Sequence, residues 1–368
     1  MQDIQAITGT VVWLAFAIGA AFGFVGGRTR FCTMGAVSDV VLMGEWGRMR
    51  MWMLAIATAV AGSAALQFAG LFDASKTIYT GNRLAWLSHV AGGAAFGVGM
   101  TLASGCGART LIRLGGGNLK SVVVFAFFAI SALMTMRGLF AVGRVRLLDT
   151  AAITLPHGQD IPAFLAAAGL APDTALALAA GTVAIVLFAA ALHRREAWCT
   201  DILLGGFATG ALVVAGWYVT GHLGHLAEHP DTLEEAFLAT NSNRAESLTF
   251  VAPLAHALDL LMAWSDASRV VTFGIASALG VVAGAALHAA TSRSFRIESF
   301  HGAGDLARHI AGAVLMGFGG VTALGCTIGQ GISGLSTLAL GSVLTTASII
   351  LGACASLKLQ YRAARRTG

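Results

Sequence analysis

The sequence predicts an all-α, polytopic membrane protein with about nine transmembrane helices, short re-entrant helices and loops, and an inverted internal repeat. Composition is the first observation behind this prediction. Of the 368 residues, 56% are hydrophobic and 11% are charged, whereas soluble domains are about 25% charged. The second observation is a set of apolar runs that reach the roughly 20 residues needed to cross a bilayer. The third is the abundance of glycine, with 47 residues against five prolines, because small residues let membrane helices approach closely.

Nine apolar segments are interpreted as transmembrane helices: 8–27, 51–72, 88–105, 118–142, 174–192, 202–220, 269–291, 308–325 and 336–357. The first begins near Thr8 without the basic segment of a cleavable signal peptide, so we expect it to be retained. Two longer connections, 143–173 and 221–268, separate the spans, and the second is acidic. Its stretch 248–264 is apolar but interrupted, and we expect an interfacial or partly inserted helix there.

The basic residues predict the orientation, because Lys and Arg gather on the cytoplasmic side of membrane proteins. With the N-terminus outside, sixteen of the 23 Lys and Arg fall on cytoplasmic segments. The outside set is Lys76, Arg83, Arg137, Arg144, Arg146, Arg244 and Arg269. The sequence therefore predicts an N-terminus outside and a cytoplasmic C-terminus. The net charge of +5 then reflects topology rather than affinity for nucleic acid.

An internal repeat links two parts of the chain. HVAGGAAFGVGMTLASGC at 89–106 aligns without gaps with HIAGAVLMGFGGVTALGC at 309–326, and Cys106 matches Cys326. Five predicted crossings separate the third span from the eighth, and an odd number reverses direction. The sequence therefore predicts an inverted-topology repeat. Its parts are a first half at 1–146, a connecting segment at 147–173, and a second half at 174–368 with the insertion 221–268.

Cysteine is the reactive residue type that recurs in both halves. Cys106 and Cys326 each follow a glycine at the end of an apolar segment, and Cys32 and Cys199 each lie between an aromatic residue and a threonine. Broken backbone is tolerated at membrane depth where it is buried in protein or lines a cavity. We therefore expect re-entrant loops that bring Cys106 and Cys326 together near the midplane. Cys354 is assigned to helix packing.

Single thiols along a path suit a ligand that carries soft sulfur. A thiol is small and polarizable, a weak donor and a weak acceptor, and an apolar wall tolerates it better than a charged group. The neighbouring Gly105, Gly107 and Gly325 let backbone N–H groups face a ligand. Two chemistries stay open: S–H···S hydrogen bonding to a terminal sulfur, and attack by a thiolate on a sulfane sulfur.

Other polar motifs are less informative. Arg109 and Arg113, four residues apart, share a helix face; they either draw an anion through or are ordinary cytoplasmic charges. The histidines of HLGHLAEH at 222–229 suggest a metal, but no cysteine is nearby, and the chain has neither CxxC nor Cys/His zinc spacing. We predict no metal site and no cofactor. Without a Walker motif, ATP is not used by this chain itself.

Four segments carry a resemblance to a known family: RTRFCTMGAVSD, LASGCGARTLIRLGGGNLKS, EAWCTDILLGG and ALGCTIGQGISGLS. Together they resemble the YeeE/YedE family of bacterial inner-membrane proteins, a family of sulfur transport and thiosulfate uptake. The similarity spans nearly the whole chain, and the Gly-Cys-Gly motif with its basic, glycine-rich turn is its most specific part. The chain departs from the family in its two long connections.

The resemblance implies a transporter, not an enzyme, that imports thiosulfate or a related sulfur anion. It implies that Cys32, Cys106 and Cys326 contact the substrate sulfur by S–H···S hydrogen bonds. The secondary candidate positions are Cys199, Arg109, Arg113, Gly105, Gly107 and Gly325. The implied partners are a TusA-like cytoplasmic sulfurtransferase or a sulfur-responsive regulator, besides the lipid bilayer, and no nucleic acid.

Other functions stay open beside this one. The cysteines also suit a membrane thiol enzyme that passes sulfane sulfur to a cytoplasmic partner. A sulfur-signalling import protein and a transporter of a selenium compound are further alternatives. A soft-metal permease is disfavoured, because no cysteine is paired with another cysteine or with a histidine at ligand spacing.

Overall fold

The computed structural model describes residues 2–230, 232–266, 268–300 and 302–367. Its α-helices are α1 (Gln2–Thr29), α2 (Thr33–Ser38), α3 (Gly47–Phe68), α4 (Trp86–Leu102), α5 (Gly107–Gly115), α6 (Leu119–Arg137), α7 (Leu139–Gly143), α8 (Ile161–Ala167), α9 (Pro172–Leu192), α10 (Thr200–Tyr218), α11 (Ala252–Met262), α12 (Phe273–Thr291), α13 (Ala303–Thr322) and α14 (Leu340–Thr367). Short π-helical turns lie at Asp39–Met43, Arg144–Leu148, Val219–Leu223 and Gly329–Gly334, and 3-10 turns at Ala74–Lys76 and Arg195–Trp198. Two antiparallel pairs of two-residue strands complete it: β1 (Arg83–Leu84) with β2 (Ile153–Thr154), and β3 (His225–Leu226) with β4 (Ala236–Phe237).

Each of the nine predicted spans coincides with a long helix: α1, α3, α4, α6, α9, α10, α12, α13 and α14. Eight segments of the described ranges are long and apolar enough to cross a membrane, and α13 falls outside that set. The first turns of α13 hold Asp305, Arg308 and His309, which lower its mean hydropathy. The predicted class, an all-α polytopic membrane protein, is confirmed.

Two helix ends differ from the prediction. Helix α6 ends at Arg137 rather than near residue 142, because Gly138 is extended, with φ −107° and ψ −152°, and breaks the run. Helix α14 continues to Thr367, ten residues beyond the apolar segment at 336–357, as a basic polar extension. At both positions the end of the helix does not coincide with the end of the apolar run.

The connections gather at two ends of the helical body. At one end, Arg50 pairs with Glu196 at 2.8 Å, and Lys120 pairs with Asp305 at 2.7 Å. At the other end, Arg137 pairs with Asp259 at 3.1 Å, and Lys76 pairs with Glu235. We call these the basic end and the acidic end, after the residues predicted to be cytoplasmic and outside. Alternate connections therefore lie at opposite ends, as successive crossings require.

The acidic connection folds partly into the protein. Helix α11 has 11 residues and is about 16 Å long at 1.5 Å per residue, too short to cross a bilayer. Just before it, Leu248, Phe250 and Val251 are at most 2% exposed. The Phe250 ring lies 5.5 Å from the ring of Phe22 in α1. The connection thus sends an inserted segment, 245–251, deep among the long helices.

Helices α4 and α13 cross at glycines in a reciprocal pattern. A Cβ on Gly92 would lie 2.8 Å from the carbonyl oxygen of Gly319, and a Cβ on Gly312 would lie 2.6 Å from that of Gly99. With the offset of 220 residues, Gly92 corresponds to Gly312 and Gly99 to Gly319. The early part of each helix therefore faces the late part of the other, and the two helices run antiparallel. Only glycine permits this approach, since a side chain would overlap the neighbouring backbone.

Candidate functional site

Three cysteines follow the same backbone turn. The residue two positions before each cysteine has a left-handed backbone. These residues are Arg30 before Cys32 (φ 55°), Ser104 before Cys106 (φ 57°) and Leu324 before Cys326 (φ 58°). The turns that contain Ser104 and Leu324 are Schellman-type helix endings. Gly105 N–H bonds to the Met100 carbonyl at 2.9 Å, and Gly325 N–H bonds to that of Gly320 at 2.7 Å. The left-handed residue usually costs a non-glycine side chain about 1–2 kcal/mol. Such strain is typical of positions that hold a functional group in place.

Each of these turns delivers its cysteine to the start of another helical segment. Cys32 is the N-cap of α2, and its Sγ accepts the Gly35 N–H at 3.3 Å. Cys106 is the N-cap of α5. Cys326 Sγ accepts the Gly329 N–H at 3.4 Å, just before the π-helical turn. Backbone N–H groups at such positions favour negative charge nearby.

The three thiols are buried close to one another. Their residues are 8%, 1% and 0% exposed for Cys32, Cys106 and Cys326. The Cys32 thiol lies near the Cys106 thiol. The Thr327 hydroxyl, next in the chain after Cys326, also lies beside the Cys106 thiol. The structure therefore brings the predicted Cys106 and Cys326 loops together, with Cys32 alongside. We call these three residues the thiol cluster.

The thiol cluster lies deep in the membrane-spanning body. A Cβ on Gly107, next to Cys106, would lie 3.0 Å from the Phe128 ring and 3.5 Å from the Phe250 carbonyl oxygen. Phe128 is at the middle of α6 (Leu119–Arg137). Helix α5 thus starts near mid-depth and runs toward the basic end. The loop between α4 and α5 therefore lies inside the helical body.

Two arginines lie on the basic-end side of the cluster. Arg113 Nη1 donates to the Ser104 carbonyl at 2.9 Å, and a Cβ on Gly105 would lie 3.2 Å from Arg109 Cγ. Both arginines are only partly exposed, and both act electrostatically on the Cys32 thiol. They lie closer to the thiols than a position at the cytoplasmic mouth implies.

A neutral residue takes the corresponding place in the second loop. Gln330 Nε2 donates to the Ala323 carbonyl at 2.6 Å, and its Oε1 accepts the Ser342 hydroxyl at 2.6 Å. A Cβ on Gly325 would lie 3.0 Å from Gln330 Cγ. Gly105 and Gly325 therefore each leave room for a long side chain that folds back over the turn. The first loop carries positive charge there and the second does not.

The remaining cysteines lie apart from the cluster. Cys199 is the N-cap of α10 and is exposed. The residue two positions before it, Ala197, is not among the left-handed residues that precede the other three. Cys354 is half-buried within α14. The shared Cys-Thr motif of Cys32 and Cys199 therefore did not predict a shared environment.

Three residues that surround the cluster were not predicted from the sequence. Phe250 reaches α5 through the inserted segment. A Cβ on Gly329 would lie 2.4 Å from Thr249 Oγ1 and 3.5 Å from the Tyr79 hydroxyl. All three residues come from connections at the acidic end. A run of small and apolar residues inside the acidic insertion pointed to Thr249 and Phe250, and no sequence feature pointed to Tyr79.

A cleft at the acidic end leads toward the Cys326 turn. It consists of two adjoining cavities of about 230 and 350 Å³, which share Ile78, Met136, Thr249 and Ala252. The smaller cavity reaches Gly325 and carries Arg144. The larger one carries Tyr79 and Glu246. We call this the outer cleft.

Glu246 is the acidic group of the outer cleft. Its Oε1 accepts the N–H groups of Asn241 and Ser242 at 3.1 and 3.0 Å, and the Ser242 hydroxyl at 2.7 Å. Burial nevertheless raises the pKa of Glu246, because it disfavours the charged form. Burial and the Cys326 thiol together raise the pKa of Tyr79. Arg144 lines the same cavity as Gly325. Its Nη1 lies 3.6 Å from Asp149 Oδ2, and its buried Nε has no hydrogen-bond partner among the described residues.

A multi-span helical body with a buried polar cluster between a cleft at one end and arginines toward the other is the architecture of a membrane transport protein. The chain belongs to the family described as sulphur transport, whose profile matches residues 28–355. The predicted resemblance to the YeeE/YedE family is confirmed.

Two relatives cover most of the chain. A protein of Escherichia coli (strain K12) named thiosulfate transporter TsuA is 29% identical over 322 residues, which are 85% of this chain and 84% of that protein. A protein of Spirochaeta thermophila (strain ATCC 700085 / DSM 6578 / Z-1203) with the same name is 24% identical over 368 residues, 93% of this chain and 97% of that protein.

Proposed function

We propose that the protein imports thiosulfate or a closely related sulfur anion across the bacterial inner membrane, with its N-terminus outside and its C-terminus in the cytoplasm. The observation that carries the proposal is the thiol cluster: Cys32, Cys106 and Cys326 are buried together at mid-depth in a member of the sulphur-transport family. The names of the two relatives support thiosulfate as the substrate.

The proposed route starts in the outer cleft. The anion meets Arg144 there and passes Tyr79 and Thr249 to reach Cys326. Its terminal sulfur then accepts S–H···S hydrogen bonds from Cys326, Cys106 and Cys32 in turn. A thiol is a weak donor, so no single contact holds the substrate tightly enough to stop its passage.

Positive charge draws the anion onward. Coulomb interactions are stronger in a low-dielectric interior than in water, and Arg109 and Arg113 act on the Cys32 end of the cluster. Gln330 takes the corresponding place on the Cys326 side without a charge. The potential therefore becomes more favourable to an anion from Cys326 toward Cys32, in the direction of the basic end.

We further infer that the chain consists of two inverted halves, 1–146 and 174–368, joined by 147–173. The reciprocal glycine contacts of α4 and α13 support this relation. So do the left-handed residues Ser104 and Leu324, which are separated by the same offset of 220. The insertion 221–268 is then the part of the second half that completes the outer cleft.

A cytoplasmic partner fits the proposed release side. Thiosulfate that leaves near Arg109 and Arg113 enters a reducing compartment, where a TusA-like sulfurtransferase consumes its sulfane sulfur. A sulfur-responsive regulator is the alternative partner. Copurification of tagged protein with either soluble partner, with and without thiosulfate, tests this part of the proposal.

Uptake of radiolabelled thiosulfate into proteoliposomes tests the function directly. Cys106→Ala is expected to abolish uptake, and Cys354→Ala and Cys199→Ala serve as controls because both cysteines lie outside the cluster. Sulfate and selenium oxyanions as competitors define the substrate range. Wild-type uptake by Cys106→Ala protein, at normal expression, would refute a thiol-lined route.

The proximity of the Cys32 and Cys106 thiols favours one second candidate, covalent sulfur transfer. A thiolate of the cluster attacks the sulfane sulfur of thiosulfate, the S–S bond breaks, and the products are a cysteine persulfide and sulfite. Mass spectrometry on protein trapped during turnover distinguishes the two. A persulfide on Cys106 or Cys326 supports transfer, and unmodified thiols during active uptake support transport of the intact anion.

A further inference from the structure

Two buried threonine hydroxyls next to the thiol cluster have no nitrogen or oxygen hydrogen-bond partner among the described residues. Thr33 and Thr327 are 1% and 2% exposed, and their Oγ1 atoms are buried without a partner among the described residues. A buried hydroxyl normally finds a partner, because leaving it unpaired costs the desolvation of the group. Two such groups beside a site that receives a ligand call for an explanation.

The two threonines share one position relative to the thiols. Each directly follows a cysteine, Cys32 or Cys326, whose own Sγ accepts a backbone N–H three residues ahead. Thr327 Oγ1 also lies beside the Cys106 thiol. The hydroxyl of Thr327 therefore stands between the Cys326 turn and the pair formed by Cys106 and Cys32.

The lack of a partner is not a general property of the neighbouring hydroxyls. Thr322 Oγ1 donates to the Phe318 carbonyl at 2.7 Å, and Thr337 Oγ1 donates to that of Gly334 at 2.8 Å. In the described part of the chain, six other buried polar atoms also lack a partner, and none belongs to a residue next to a cysteine: Trp52 Nε1, Ser63 Oγ, Arg144 Nε, Gln159 Oε1, Arg269 Nε and Thr346 Oγ1.

We propose that the hydroxyls of Thr33 and Thr327 bind the oxygen atoms of the substrate anion while the adjacent thiols contact its sulfur. The inference rests on the proposed function and assigns the oxyanion half of the same site. Each Cys-Thr pair then recognises both chemical ends of a sulfur oxyanion, a soft sulfur atom and hard, charged oxygen atoms.

The division of roles follows from the chemistry of the donors. A thiol is a poor partner for a charged oxygen, whereas a hydroxyl is a full donor. Hydrogen bonds to a charged acceptor are about twice as strong as neutral ones. Arg109 and Arg113 contribute charge to this region, but the Arg113 Nη1 already donates to the Ser104 carbonyl. Thr33 thus offers a free hydroxyl next to Cys32, and Thr327, whose hydroxyl has only the weakly bonding Cys106 thiol beside it, offers a second.

Isosteric variants test this assignment. Thr327→Val and Thr33→Val remove the hydroxyl and keep the shape of the side chain, whereas Thr327→Ser keeps the hydroxyl. Thr200→Val is the matched control, because Thr200 also follows a cysteine, Cys199, but is exposed on the surface. Thiosulfate binding by calorimetry and the KM of uptake in proteoliposomes are measured for each purified protein.

We expect Thr327→Val to weaken thiosulfate binding about tenfold or more, since one hydrogen bond to a charged group is lost. Thr33→Val should weaken it in the same direction, and Thr327→Ser should restore most of the affinity. Thr200→Val should bind like the wild type. Binding by Thr327→Val within twofold of the wild type would overturn the assignment, and so would an equal loss in Thr200→Val. Absence of uptake by the wild-type protein would instead contradict the proposed function itself.

Discussion

The thiol of Cys32 lies near the thiol of Cys106, although one cysteine follows the first long helix and the other follows α4. Both are held at the start of a short helix after a turn with a left-handed residue. The proximity of the two thiols has consequences for redox chemistry.

The first prediction concerns oxidation of this pair. Mild oxidation with diamide should join Cys32 and Cys106 in a disulfide, because the two thiols are close neighbours. Uptake of thiosulfate should stop, and dithiothreitol should restore it. Mass spectrometry of the peptides identifies the bond and counts the free thiols. Cys32→Ala protein should resist the treatment, and rapid loss of its remaining buried thiols would contradict the assigned pairing.

The second prediction concerns Arg144 in the outer cleft. Arg144→Gln should raise the KM for thiosulfate about three- to tenfold, because a partly buried cation that interacts with the anion is worth about 1 kcal/mol or more. The maximal rate should change little, since the thiol cluster stays intact. Kinetics of uptake at low salt measure both quantities.

Arg146 supplies the control for this experiment. It lies in the same π-helical turn but is exposed and does not line the cleft. Arg146→Gln removes the same charge from the same end of the protein, so a similar rise in KM would point to a diffuse surface field rather than to the cleft.

Much of the fold was predictable because membrane spans leave a strong trace in composition. Apolar runs of bilayer length predicted every long helix, including α13, whose charged first turns weaken its hydropathy. The repeat of His89 and Cys106 at His309 and Cys326 predicted which two loops would meet. These features depend on residue type at fixed spacing, and a single sequence displays them directly.

The rest of the site was not predictable, because it depends on which backbone segments meet in space. Phe250 lies 5.5 Å from Phe22, but the sequence places it inside an acidic insertion. Cys32 and Cys199 share a motif, yet the left-handed turn precedes only Cys32 of the two. Nothing in residue type distinguishes Arg30 or Leu324 as left-handed positions, where glycine is the usual choice.

The third prediction concerns the strain at Leu324. This residue has φ of 58° and is 44% exposed, so its side chain contributes little burial. Leu324→Gly should stabilise the protein by about 1 kcal/mol relative to Leu324→Ala, because glycine adopts the left-handed region without the penalty of a Cβ. Thermal unfolding in detergent compares the two variants. An equal melting temperature would mean that the turn is not strained at this position.

The fourth prediction concerns the pH dependence of stability. Burial raises the folded-state pKa of Glu246 above its ordinary value of 4.5, so in this range the folded protein binds more protons at this group than the unfolded chain does. The contribution of Glu246 to the free energy of unfolding must then fall as pH rises from about 4.5 through the raised pKa. Glu246→Gln keeps the Oε1 that accepts three hydrogen bonds and cannot ionise.

The Glu246→Gln variant should therefore gain stability relative to the wild type as pH increases across this window, as melting temperatures at a series of pH values would show.

Glu235 provides a control, because its pKa is shifted in the opposite direction. Hydrogen bonds from Lys76 and His225 lower the pKa of Glu235, so its contribution is present above the ordinary pKa and is lost as pH falls through the lowered value. Glu235→Gln should consequently lose stability relative to the wild type at neutral pH and approach it in acid. If both variants shifted in the same direction with pH, burial would not be what controls the ionisation of Glu246.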